Sequence, residues 1–279
     1  MITIKNLEFS FKQERLFKDL NLDIQPGSIC GILGKNGAGK STLLNLVSGL
    51  LNRYRGSIRV NDYIPYKRIS SMLENLYMIP EKISLPAIKG NDYRKLCSPF
   101  YPNFCNSKFA KLMQEYEVNP EKKLTQMSQG QKKKFIIAFA LSTNCSLLLM
   151  DEPTNGLDIP SKKQFRKSLI NTFNKDQLIL ISTHQVRDLE DILDKIVILD
   201  TGKIIFNYSS EEIENKLMQF NTVEEVTDQT IVYSEKSIGG YTYLSSKSNT
   251  SHLQCPVDVE LLFNAAVSNS HELNSIFNN

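Results

Sequence analysis

Cysteine is scarce and scattered in this chain. The five cysteines, Cys30, Cys97, Cys105, Cys145 and Cys255, include no C-x-x-C pair. That excludes a metal or disulfide framework and leaves reduced thiols in a cytosolic chain. An excess of one charge is also missing: +3 over 279 residues is too small to make nucleic acid the main partner. Met1-Ile2-Thr3-Ile4-Lys5-Asn6 has no basic head followed by an apolar core, so no secretory signal is expected. Long apolar runs are lacking as well. The uncharged stretch from Phe135 to Met150 is shorter than the about twenty residues a membrane span needs. Ser142, Thr143, Asn144, Cys145 and Ser146 interrupt it, so a buried helix, a turn and a buried strand account for it. No internal repeat stands out. What is there, 41% hydrophobic and 23% charged, is the make-up of a soluble globular protein of one large domain, or one domain plus an appendage.

The most informative stretch runs from Ser28 to Leu51. Gly34-Lys35-Asn36-Gly37-Ala38-Gly39-Lys40-Ser41 fits G-x-x-x-x-G-K-[ST], a loop whose backbone N–H groups cradle phosphates. The pattern has the context it needs. Ser28 to Leu33 reads as a buried strand, and Leu43, Leu46, Val47 and Leu50 follow at helical spacing. Glycines let the loop curl inward and the helix N-terminus adds partial positive charge. Lys40 would reach the terminal phosphates, and Ser41 would offer its hydroxyl to Mg²⁺.

Around this core, residues 2–9 and Leu20 to Ile24 read as strands, with Pro26-Gly27 as a turn. Ser57 to Val60 reads as a further strand after Arg55-Gly56. Met78-Ile79, Leu147 to Met150 and Leu178 to Ser182 are apolar and far apart in sequence, as parallel strands buried on both faces are. Ile196 to Leu199 and Lys203 to Phe206 read as an antiparallel hairpin at the sheet edge. A short helical insert is expected after Ser84, with Phe109, Leu112, Met113 and Tyr116 on one face. Beyond Asn207 a smaller unit is expected: a helix start at Ser209-Ser210-Glu211-Glu212, short strands at Ile231 to Tyr233 and Tyr241 to Leu244, and a helix from Asp258 to Ala266. The Asn- and Ser-rich tail after Ser268 reads as frayed.

Three further constellations carry chemistry. The strand Leu147 to Met150 ends in Asp151 and Glu152. Ligands of a parallel α/β sheet bind beyond its strands' carboxyl ends, so Asp151 can hold Mg²⁺ and Glu152 can polarise an attacking water. Met127-Ser128-Gln129-Gly130-Gln131 precedes a helix buried at Phe135, Ile136, Phe139 and Ala140. Ser128 and Gln131 have the spacing of a capping box, and the same exposed N–H groups could serve as an anion site; the segment by itself favours the ordinary helix start. Lys132-Lys133-Lys134 reads as a solvated face. His184 stands just past the strand at Leu178, where it is either a structural residue or a phosphate contact.

Taken together, residues 1–206 resemble an ATP-binding cassette (ABC) ATPase, the nucleotide-binding subunit of ABC transporters. Gly34 to Ser41 resembles Walker A, Leu147 to Glu152 Walker B with the catalytic glutamate, and Ser128 to Gln131 the ABC signature. Asn155-Gly156-Leu157-Asp158 resembles the D-loop and His184 the switch histidine. The resemblance implies an α/β P-loop cassette with a mainly parallel core sheet, an N-terminal antiparallel β subdomain and a helical subdomain at about 84–142. Residues 207–279 would form a small α+β C-terminal extension of open role. It also implies ATP and Mg²⁺, and head-to-tail dimerisation with an identical or a related cassette. ATP would be held by Asn36, Gly37, Ala38, Gly39, Lys40, Ser41 and Thr42 of one subunit and by Ser128, Gly130 and Gln131 of the other. Glu152 would activate water, His184 would hold the γ-phosphate, Asp158 would communicate between sites, and Ser41 and Asp151 would bind Mg²⁺. Phe11 resembles the residue that stacks on adenine, with Phe9 as its competitor.

Two residues depart from the family pattern. Glu81 stands where many members carry the Q-loop glutamine; its carboxylate could bind Mg²⁺ or its water but adds negative charge near phosphate. Gln129 replaces a signature glycine and adds bulk at the dimer interface. The Cys97-Ser98-Pro99-Phe100-Tyr101-Pro102 segment resembles bacterial exporter cassettes of the ABC-2 sort. The reading is therefore an ATPase subunit, peripheral on the cytoplasmic face of the cell membrane, that drives a permease on separate chains, an exporter. Its rivals are a soluble cassette acting in DNA repair or translation, which usually carries a coiled-coil insertion or a fused second cassette, and a P-loop kinase, which would leave Ser128 to Gln131 and His184 unused.

Overall fold

The computed structural model describes residues 1–12, 14–247 and 255–278. In chain order its elements are β1 (Ile2–Phe11), β2 (Glu14–Ile24), β3 (Ser28–Leu33), α1 (Lys40–Val47), β4 (Tyr54–Val60), α2 (Ser70–Leu73) and β5 (Leu76–Ile79). The helical insert supplies α3 (Gly90–Cys97) and α4 (Asn106–Glu115), and then come α5 (Gln129–Ser142), β6 (Leu147–Asp151), α6 (Ile159–Thr172) and β7 (Leu178–Thr183). The chain ends with β8 (Lys195–Asp200), β9 (Lys203–Ser209), α7 (Ser210–Lys216), β10 (Leu217–Thr222), β11 (Ile231–Ser237), β12 (Gly240–Ser246) and α8 (Val259–Asn278).

Strands β3, β6 and β7 are almost entirely buried, so they lie inside a sheet covered on both faces. That sheet has the order β5-β6-β7-β3-β8-β9. Its first five strands are parallel and β9 closes the edge antiparallel to β8. Alternate residues face opposite sides. Cys30, Ile32, Leu147, Leu149, Leu178 and Leu180 pack with α1 and with the antiparallel sheet β2-β1-β4. Ile29, Leu33, Leu148, Met150, Ile179 and Ile181 pack on the other side with α4, α5, α6 and α8. The expected mainly parallel core and antiparallel amino-terminal sheet are both present. A third sheet, β10-β12-β11, belongs to the carboxyl-terminal part.

The structure corrects three expectations. Helix α1 stops at Val47, and Leu50, expected on its apolar stripe, is 58% exposed. Gly49, at φ 75, turns the chain away so close to the Pro65 carbonyl that a Cβ would lie 2.1 Å from that oxygen. The tail after Ser268 is not frayed: it continues α8 past a kink at Asn269, with Leu273 fully buried. The ring of Phe277 stacks on Tyr208 at 3.9 Å. Lys133, expected on a solvated face, is 6% exposed. In addition, β10 lies where no strand was expected.

Helix α8 also reaches the segment that follows β7, where the Arg187 Nε lies 2.6 Å from Glu260 Oε2. Among the described residues no helix is long and apolar enough to cross a membrane.

Candidate functional site

Between the amino-terminal sheet and the carboxyl ends of β3, β6 and β7 lies a cavity of about 670 Å³. Asn36, Gly37, Gly39, Lys40, Ser41 and Thr42 line it from the loop and the first turn of α1, with Phe11, Glu81, Glu152 and His184 opposite. The loop can take this path because Gly39 adopts φ 109, where a side chain is strained, and packs so tightly that a Cβ would meet the Phe17 ring at 2.7 Å. Gly34 and Ala38 complete the loop; Ala38 N–H donates to the Lys35 carbonyl at 3.1 Å.

Lys40 is buried and folds along the loop, its Nζ donating to the carbonyls of Gly34 at 2.6 Å and Lys35 at 3.2 Å. It stands 3.9 Å from Glu152 Oε1. Burial lowers the Lys40 pKa below the usual lysine value, and the carboxylates of Glu152, Asp151 and Glu81 oppose that shift. Asp151 ends β6 directly below. Its Oδ1 accepts from Ser41 Oγ at 3.0 Å and from the Ser182 hydroxyl on β7, because parallel pairing sets Asp151 beside Ser182.

Glu152 leaves the strand with a left-handed backbone, φ 47, which turns its side chain toward the cavity. Its Oε2 accepts from Thr183 Oγ1 at 3.3 Å, and its Oε1 lies 2.7 Å from His184 Nδ1. A buried carboxylate thus faces an ammonium on one side and a partly exposed imidazole on the other. Ser41 and Asp151 offer hard oxygen ligands, the kind Mg²⁺ takes together with substrate phosphates in place of an all-protein cage. Among the described residues no group of three or more His, Cys, Asp or Glu could hold a metal ion alone.

The structure separates the two candidate aromatics. Phe9 is a buried residue of β1, whereas Phe11 is 51% exposed and lines the cavity, edge-on to Phe9 at 4.8 Å. Ser128, Gly130, Gln131 and Asp158 do not line it. Ser128 and Gln131 form a reciprocal capping box at the start of α5, with both hydrogen bonds at 3.2 Å. Asp158 caps α6 by accepting from Ser161 N–H at 2.9 Å, and the Ser161 hydrogen bonds hold its carboxyl below the usual range.

Sequence reasoning missed Glu14 and Leu16, which line the cavity from β2. Their signal was the pairing of Phe11 with Glu14 across the β1–β2 turn, which brings that end of β2 to the same place as Phe11. Asn155, quoted in the D-loop but assigned no site role, lines the cavity too.

Comparison with known proteins bears on this geometry. The model of the family described as "ABC transporter" matches residues 17–155. The ABC transporter ATP-binding protein YtrB of Bacillus subtilis (strain 168) is 26% identical over 242 residues, which cover 85% of this chain and 82% of that protein. The methionine import ATP-binding protein MetN of Clostridioides difficile (strain 630) is 31% identical, with 76% of this chain and 70% of that protein covered. Among solved structures, the ATP-binding cassette MJ0796, a dimer in a post-hydrolysis state bound to ADP and Pi, shares the fold with a TM-score of 0.66. It is 20% identical, and the match covers 75% of this chain and 98% of that one.

Proposed function

Given that this chain belongs to the ABC transporter family as one of its ATP-binding ATPase subunits, we propose that ATP closes two such cassettes head to tail. The stroke then drives a membrane permease carried on separate chains. One observation carries the reading: Lys40, Glu152 and His184 surround the cavity, while Ser128 and Gly130 lie outside it, which supports a site completed by the signature of a second cassette. The dimeric state of the MJ0796 cassette fits such an arrangement, and a two-fold contact of this kind makes both sites at once.

In this reading Asn36 to Thr42 and Lys40 hold the ATP phosphates, and Phe11 stacks on the adenine. Glu152 takes a proton from the attacking water, and His184, whose Nδ1 lies 2.7 Å from Glu152 Oε1, holds the γ-phosphate. Ser128, Gly130 and Gln131 of the second cassette close over the γ-phosphate, and Asp158 senses the neighbouring site. Ser41, Asp151 and Glu81 would hold Mg²⁺, which when bound offsets the charge of the phosphate oxygens. The cassette comprises residues 1–206, its helical part about 84–142, and residues 207–279 extend it.

For the permease we assign the groove of about 450 Å³ between the end of α1 and the insert, lined by Leu50, Arg68, Met78, Phe100 and Tyr101. Leu50 and Phe100 are exposed apolar residues there, as a docking helix would need. A chain docked on such a permease would sit at the cytoplasmic face of the cell membrane. Outward transport is part of the reading and rests on residues 97–102 alone; MetN, named for import, is 31% identical to this chain over 225 residues and YtrB 26% over 242. Transport into inverted vesicles by the reconstituted complex decides the direction.

The test of the core reading is Glu152→Gln. This variant retains ATP, runs as a dimer on gel filtration in Mg-ATP, and hydrolyses it negligibly. A monomer that still turns over sinks the reading.

A further inference from the structure

One lysine of the run after the signature is out of place for a solvated face. Lys133 is buried at 6% exposure, whereas its neighbours Lys132 and Lys134 are half-buried. Its Nζ donates to the backbone carbonyl of Glu152 at 2.7 Å and to that of Asn155 at 3.2 Å. These two carbonyls belong to one turn: Asn155 N–H donates back to the Glu152 carbonyl at 3.2 Å. The turn begins with the left-handed backbone of Glu152, a conformation that persists in a non-glycine residue only where its surroundings hold it.

An ammonium with two carbonyls is a charge-assisted anchor, and removing it leaves the Glu152 carbonyl with the Asn155 N–H as its remaining donor. Burial lowers the Lys133 pKa, but the carboxylates of Glu81, Glu152 and Asp151 oppose the shift. Glu81, whose carboxylate replaces the family's usual amide, is one of the charges that oppose the lowering.

The geometry points to Lys133 as a positioning residue that ties the signature helix to the turn carrying the catalytic glutamate. Helix α5 begins with Ser128, offered to the neighbouring cassette, and Lys133 joins its second turn to Glu152, which serves the chain's own site. One side chain thus links the two ATP sites of a dimer. This rests on the head-to-tail reading above.

The test uses the full chain. Lys133→Met keeps the stem and removes the charge, Lys133→Gln keeps a donor without charge, and Lys133→Arg keeps both. ATPase rate is measured against ATP concentration, with ATP affinity and melting measured separately. The expected result for Lys133→Met is a kcat lower by about tenfold, or about 1.4 kcal/mol, with ATP affinity changed less than about twofold and any positive cooperativity between sites lost. Lys133→Gln falls between, and Lys133→Arg recovers most of the rate. Wild-type kcat and cooperativity in Lys133→Met overturn the inference. So does a loss of affinity and melting temperature that parallels the rate and that Lys133→Arg does not restore. If Lys133→Met does not fold, Lys133→Gln and Lys133→Arg decide: equal kcat in those two overturns the role of the charge. Glu152→Gln serves as the control. If it traps no dimer, the parent reading fails; if it does and Lys133 proves indifferent, only the link fails.

Discussion

At the scale of residues, burial and local hydrogen bonds sort the thiols. Desolvation pushes Cys30 and Cys145 up to about 12. Cys105 is half-buried at the start of α4, and its thiol lies below the usual range because the Ser107 hydroxyl and the Lys108 N–H both bond its sulfur. Since the thiolate is the nucleophile, an alkylating reagent at pH 8 should modify Cys105 before Cys97, and should reach Cys30 and Cys145 only after unfolding. Peptide mapping by mass spectrometry checks the order; prompt native labelling of Cys30 contradicts it. Residue positions differed in how far the sequence exposed them. Asp151 and His184 sit at strand ends, where one rule about parallel sheets located both, and the phosphate-loop pattern located Lys40 at the start of α1. Phe11 could not be separated from Phe9 by pattern, because both lie on one strand and only the end of the sheet distinguishes them. Lys133 was hidden by its neighbours, although one cue existed. The residues from Phe135 to Leu141 are apolar all round, the mark of a buried helix, and a lysine in the preceding turn of such a helix has little room to reach solvent.

At the scale of elements, the carboxyl-terminal helix shows why composition misled. Asparagine and serine after Ser268 suggested a loose end. In the structure the asparagines of α8 bond neighbouring strands. Asn269 Nδ2 donates to the Val232 carbonyl at 2.9 Å and Asn274 Nδ2 to the Ile205 carbonyl at 2.8 Å, so these polar residues dock the helix. Strand β10 was illegible for another reason: it follows α7 without a turn residue to mark the change of period. The start of α8 carries a titratable contact. Asp258 caps the helix, accepting from Glu260 and Leu261 N–H at 2.7 and 3.1 Å. Burial, first, and the carboxylates of Asp258 and Asp191 raise the pKa of Glu190, with Arg187 and the Val259 N–H opposing. A raised carboxyl pKa favours the folded state fully below the unfolded value, near 4.5, and that contribution is lost as pH climbs through the folded value. Glu190→Gln should therefore melt about 1 °C higher at pH 7 and should lose part of the stability gained on acidification. Thermal melts from pH 4 to 7 read both; a lower midpoint at pH 7 refutes the assignment.

At the scale of the whole molecule, the nucleotide cavity and the proposed permease groove are separate surfaces. A charge placed in the groove should therefore uncouple them. Phe100→Asp should leave ATP turnover of the isolated chain within about twofold, because Phe100 is exposed and exposed substitutions away from a site are mild. It should abolish pull-down with the permease and transport by the reconstituted complex. Retained transport would remove the groove from the docking surface. The core sheet and its helices were largely legible because long apolar strands leave few topologies. The reach of the last helix was not, since it depends on contacts with strands far back in the chain.

The apolar interior behind α5 and α6 continues without a break from Leu33 and Met150 to Leu244, Leu262 and Leu273. A wall shared in this way makes the two ends answer to heat together. Nucleotide at the amino-terminal end stabilises only the state it binds, so a calorimeter should record one endotherm, shifted upward as a whole by Mg-ATP. Protease cutting near the final helix should slow in step with it.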